Sequence, residues 1–102
     1  MSGFKKVASL KALQARSPLC VEIEGKRIAL FRLSGQVYAL DDLCTHEGGP
    51  LSEGVVEGDE VECPWHGARF RITTGELLSP PAYESVRTYK VRVRADDIEM
   101  EV

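Results

Sequence analysis

Apolar and polar residues alternate with a period of two in short runs along most of this chain, and the runs end at turn signals. Val21-Glu22-Ile23-Glu24 alternates and stops at Gly25. Arg27 to Leu33 follows and stops at Ser34-Gly35, and Gln36 to Leu40 resumes the pattern. Phe70 to Thr73 runs into Thr74-Gly75. Near the end, Val91 to Arg94 and Ile98 to Val102 alternate on either side of Asp96-Asp97. Successive side chains of a strand point to opposite faces, so a period of two marks strands buried on one side. Helical spacing is confined to a possible turn around Leu10 to Ala15. These runs predict an all-β fold of antiparallel sheets in a small sandwich or barrel. At 102 residues, the chain fits one domain, 1–102.

One stretch breaks the alternation. Residues 42–66 hold Gly48, Gly49, Pro50, Gly54, Gly58 and Pro64, together with both histidines of the chain and two of its three cysteines. Functional loops commonly sit as such irregular stretches on a rigid scaffold. The chemistry-bearing residues form two halves, Cys44-Thr45-His46 and Cys63-Pro64-Trp65-His66-Gly67. Each half offers one soft thiolate and one imidazole, a donor set that suits iron, iron–sulfur clusters or zinc. The short spacings let each pair converge on one site, and Gly48, Gly49 and Gly67 allow backbone N–H groups close to sulfur. Structural zinc with two Cys and two His stays open on the donor set, although zinc modules more often pair Cys with Cys and His with His. Thiol–disulfide chemistry is disfavoured because no C-x-x-C occurs.

Composition closes several other routes. The chain is 43% hydrophobic and 28% charged with a net charge of −3, which argues against disorder and gives no basic cluster for nucleic-acid phosphates. No apolar run approaches the ~20 residues that span a bilayer, and the start of the chain lacks a signal-type apolar stretch. The expected compartment is therefore the cytoplasm, and an odd number of cysteines there points to metal or catalysis rather than a disulfide scaffold.

C-T-H followed by C-P-W-H-G resembles the C-x-H and C-x-x-H boxes of the Rieske family. Ser79-Pro80-Pro81-Ala82 looks like that family's proline loop, and the turn-rich β pattern on both sides agrees. The resemblance implies a 2Fe–2S cluster, with Cys44 and Cys63 on one iron and His46 and His66 on the other. It implies a cluster-binding subdomain of about 42–82 inserted in the β sandwich. It also implies a soluble one-electron carrier, a ferredoxin and not itself an enzyme. The partners it suggests are an NAD(P)H-dependent flavoprotein reductase upstream and a terminal oxygenase, typically aromatic-ring hydroxylating, downstream. A freely diffusing carrier of this kind is expected to be a monomer with no membrane partner. The small subunit of an assimilatory nitrite reductase is an alternative of similar fold, and a zinc-stabilised binding module is another.

The resemblance also bears on potential. His in place of two thiolates leaves the oxidised cluster formally neutral and raises its potential into the range of about −150 to +300 mV. High-potential relatives add a disulfide and two hydroxyl donors around the cluster. Here the corresponding positions are Gly49 and Trp65, and then Ala68 and Phe70. Fewer donors to sulfur place the expected potential near the bottom of that range, about −150 mV.

Three further features carry expectations. Trp65 either shields the cluster and offers a docking surface or packs the loop. Pro50 and Leu51, with Pro80 and Pro81, are expected both to stiffen the turns and to form an apolar rim around the exposed histidine edges. From Asp41 to Glu62 the chain has Asp41, Asp42, Glu47, Glu53, Glu57, Asp59, Glu60 and Glu62 but no Lys or Arg. That run reads as a solvated acidic surface, with steering of basic partners as the functional alternative, and Arg69 and Arg71 are placed to pair with some of it. Cys20, between Leu19 and Val21, is expected to be a buried small hydrophobe.

Overall fold

The computed structural model describes residues 3–13, 18–33, 35–42, 50–65, 67–79 and 85–101. Eleven strands form three antiparallel sheets among these residues. The first joins β1 (Phe4–Ser9), β11 (Asp97–Glu101) and β10 (Val91–Arg94), in that order. The second has the order β2 (Leu19–Ile23), β3 (Lys26–Leu33), β4 (Gln36–Asp41) and β9 (Thr88–Tyr89). The third runs β5 (Val55–Glu57), β6 (Glu60–Glu62), β7 (Arg69–Arg71), β8 (Leu77–Ser79).

The second sheet is the middle layer. Ile28, Ala29, Leu30 and Phe31 on β3 are all buried, a continuous apolar run rather than an alternating one. Their side chains divide by parity between two cores. Ile28 and Leu30 join Leu13, Ala39, Ile98 and Met100 in the core beneath the first sheet. Ala29 and Phe31 join Leu40, Leu51, Val61, Cys63, Ala68, Phe70, Ile72 and Val86 in the core beneath the third. A strand covered on both faces loses the polar half of its pattern.

The hairpins follow from local chemistry. Ile23 pairs with Lys26 across Glu24-Gly25, where both residues have positive φ (51° and 81°). That is the twist-compatible two-residue turn, and glycine takes its second position without Cβ strain. Among the described residues, regular helix is limited to the 3-10 turns Leu10–Ala12 and Leu51–Glu53. No helix is long and apolar enough to cross a membrane.

Several boundaries differ from the sequence expectation. The turn expected at Asp96-Asp97 lies at Ala95-Asp96, and Asp97 already pairs with Arg94. The run Phe70 to Thr73 is strand only as far as Arg71, because Gly75 donates to the Arg71 carbonyl and turns the chain. The expected break over residues 42–66 contains a regular hairpin, β5–β6, with Val56 facing Val61 inward while Glu57 and Glu60 face outward. β1 was not expected, since Lys5-Lys6 interrupts the alternation; it pairs along β11 through a register shift between Lys6 and Ala8.

Candidate metal centre

Of the four predicted ligands, Cys63 falls within the described residues; Cys44, His46 and His66 lie outside them. So do Gly48, Gly49, Pro80, Pro81 and Ala82. Cys63 follows β6 directly. Its side chain is a free thiol at 2% exposure, in the same apolar core as Ala68 and Phe70. Among the described residues, no three His, Cys, Asp or Glu side chains gather into a metal site.

The 63–68 loop is closed by its own backbone. The Cys63 N–H donates to the Ala68 carbonyl at 2.7 Å, and the Gly67 N–H donates to the Cys63 carbonyl at 3.1 Å. Gly67 sits at φ 77°, a conformation that only glycine adopts cheaply. These bonds fix the Cys63 Cα with no help from its thiol, which is free to bind. Pro64 and Trp65 form the tip, and Trp65 is 55% exposed, which leaves part of its surface open to a partner. A buried soft donor, on a loop ordered by backbone bonds and next to an exposed tip, fits an iron–sulfur ligand.

Below this loop the hairpin is tied by charge. Glu62 pairs with Arg69 in register, and Arg69 reaches Glu60 at 3.0 Å, Glu62 at 3.2 Å and Glu57 at 2.5 Å. These carboxylates, Glu57 foremost, hold the guanidinium protonated even more firmly than usual. Arg71 pairs with Asp59 at 2.8 Å and Glu76 at 3.7 Å. Both arginines thus pair with the acidic run, as expected. The run is not uniformly solvated, however. Asp41 accepts the Tyr89 hydroxyl at 2.5 Å. Burial, with this carboxylate second, pushes the Tyr89 phenol up to about 12.

Asp42 departs furthest from its reading as a surface acid, because it is fully buried. Its backbone carbonyl accepts from Leu51 N–H at 2.5 Å and its Oδ1 from Ser52 N–H at 2.7 Å, while Oδ2 lies 3.4 Å from an Arg27 nitrogen. Arg27 also donates to the Cys20 sulfur at 3.7 Å. Cys20 is therefore half-buried in a polar group, not a core hydrophobe. Its thiol is raised above its usual value, chiefly by burial and then by Asp42, which keeps it neutral and a poor ligand. The sequence signal for Asp42 was its place between the apolar run of β4 and the Cys44 box. Leu51, expected as part of an apolar rim around the histidine edges, is fully buried in the core that contains Cys63.

The sequence profile described as "Rieske [2Fe-2S] domain" matches residues 3–90. The ferredoxin component of a naphthalene 1,2-dioxygenase system from Pseudomonas putida is 44% identical over 75 residues, covering 74% of this chain and 72% of that protein. The biphenyl dioxygenase ferredoxin subunit of Pseudomonas sp. (strain KKS102) is 34% identical over 96 residues, covering 93% and 88%. Among solved structures, the ferredoxin of carbazole 1,9a-dioxygenase from Nocardioides aromaticivorans IC177 superposes with a TM-score of 0.89 at 32% identity, covering 95% of each chain. On the profile match, the relatives and the buried thiol of the 63–68 loop, this chain belongs to the Rieske [2Fe-2S] domain family.

Proposed function

We propose that this chain is a Rieske ferredoxin that carries single electrons from an NAD(P)H-dependent flavoprotein reductase to a terminal oxygenase acting on aromatic rings. The observation that carries this reading is Cys63, a buried free thiol on a self-closed loop, in a chain whose relatives are ferredoxin components of aromatic dioxygenase systems. Cys44 and Cys63 would hold one iron, and His46 and His66 the other. The cluster, when bound, takes up and gives up one electron. The chain contributes the rest. The 63–68 backbone bonds fix the ligand loop against reorganisation, and the exposed indole of Trp65 gives a partner an apolar contact beside His66. The chain is read as one domain, 1–102, with a cluster-bearing part at about 42–82, and as a cytoplasmic monomer.

Electron paramagnetic resonance of the anaerobically purified, dithionite-reduced protein tests this. The expected result is a rhombic signal whose average g value lies clearly below that of all-cysteine 2Fe–2S ferredoxins. A colourless, silent protein containing zinc and no sulfide overturns it.

The structure sharpens the expectation about potential. Ala68 and Phe70 are both fully buried in the core that contains Cys63, and neither offers a hydroxyl. A midpoint near −150 mV is expected by protein-film voltammetry at neutral pH. Phe70→Tyr is expected to raise it, because a buried phenol needs an acceptor and the thiolate of Cys63 is in the same core. No shift would mean that the hydroxyl finds another partner.

A further inference from the structure

We propose that Asp42 is a positioning residue for the cluster, a buried carboxylate that clasps the two ends of the segment carrying Cys44 and His46. The inference rests on the reading of those residues as ligands. Asp42 is the single polar or charged residue among the buried described residues. Burying a carboxylate is costly, so what surrounds it must compensate.

Its partners are unusually placed. The backbone carbonyl and Oδ1 of Asp42 accept from two consecutive amides, Leu51 and Ser52, on the far side of residues 43–50. The Asp42 N–H donates to the Arg27 carbonyl at 2.9 Å, and the Arg27 guanidinium lies 3.4 Å from Oδ2, an ion pair that leaves this buried oxygen without a hydrogen bond among the described residues. One residue thus ties both ends of the segment to each other and to β3. The tie extends to the second ligand loop. Leu51, held by the Asp42 carbonyl, is fully buried in the same core as Cys63 and Ala68. The bonds to Leu51 and to the Arg27 carbonyl are backbone bonds open to any residue at 42, so the carboxylate's own share is the Ser52 bond and the Arg27 ion pair, which set where the first loop leaves and re-enters the fold. Ligand pairs supplied by two loops need their relation fixed, since a loosely held shell loses metal and alters geometry.

The test compares holoproteins carrying Asp42→Ala, Asp42→Asn and Ile98→Val. Ile98 is buried in the other core, so its variant is destabilised without touching the clasp. The readings are the g values of the reduced protein and the rate at which bathophenanthroline strips iron from it. Asp42→Ala is expected to lose iron about tenfold faster than wild type or more, with displaced g values. Asp42→Asn, which keeps a weaker acceptor for Ser52, should retain wild-type g values and lose iron at an intermediate rate. Ile98→Val should melt earlier with both readings unchanged. Wild-type g values with a wild-type rate in Asp42→Ala overturn the proposal, as does a loss no faster than that of Ile98→Val. Should Asp42→Ala not fold, Asp42→Asn decides by its rate, and a wild-type rate overturns the proposal. A wild-type protein without the mixed-ligand signal would instead defeat the ligand assignment and leave the clasp untouched.

Discussion

Cys63→Ser is expected to yield a folded protein without a cluster. The loop that carries residue 63 is closed by the Cys63–Ala68 and Gly67–Cys63 backbone bonds, which a serine preserves. What changes is the donor. A thiolate forms readily against iron, whereas a serine hydroxyl does not ionise near neutrality and is a far harder ligand. The buried position adds about 1–3 kcal/mol of cost if the hydroxyl finds no partner, which a small domain survives. Iron and acid-labile sulfide analysis checks the outcome, together with the visible spectrum. Loss of both with native far-ultraviolet dichroism is the expected result. Iron and sulfide at wild-type levels would remove Cys63 from the ligand set.

Gly54→Ala is expected to destabilise the fold by about 3 kcal/mol, at the upper end of the overpacking range. Gly54 has an ordinary extended conformation, with φ of −80°, so strain in its own backbone is not the reason. The reason is proximity. A Cβ there would overlap the Glu62 carbonyl oxygen, a backbone atom that cannot swing aside as a side-chain tip can. Glu62 closes the β6–β7 pairing opposite Arg69 and directly precedes Cys63, so the push lands on the ligand loop. For a domain of this size the melting temperature should fall by roughly 10–20 °C. Gly3→Ala is the matched control, since nothing lies within 4 Å of a Cβ at that position. A wild-type melting temperature for Gly54→Ala would mean that the chain at Gly54 withdraws from β6 at little cost.

The acidic run illustrates how charge is used here. Glu57, Glu60 and Glu62 converge on one arginine from two strands and stitch β5, β6 and β7 at the base of the cluster loop. Isolated surface pairs contribute little, but several carboxylates sharing one guanidinium form a network with fixed geometry. Asp41 and Asp42 stand outside that network: the half-buried Asp41 accepts from Tyr89, and Asp42 lies on no solvated face.

The sequence by itself determined the β class, most central strands and the family, because these rest on local signals. A period of two at Val21–Glu24 and Val91–Arg94, a glycine turn at Gly25 and paired Cys/His boxes need no distant neighbour to be recognised. Strands whose pattern is erased by burial on both faces, such as Ile28 to Phe31, declared their type through apolar content but not which side each residue would serve. Only the tertiary structure decided that parity, by covering β3 with one sheet on each face. It alone also separated Asp42 from its acidic neighbours. In sequence, Asp42 is one carboxylate among many. Its burial, and hence its clasp, exists only once β3 brings Arg27 beside it and the chain returns Leu51 and Ser52 to its carbonyl and carboxylate. Charge is a property of a residue, but whether that charge meets water or a buried partner is a property of contacts between residues far apart in the chain.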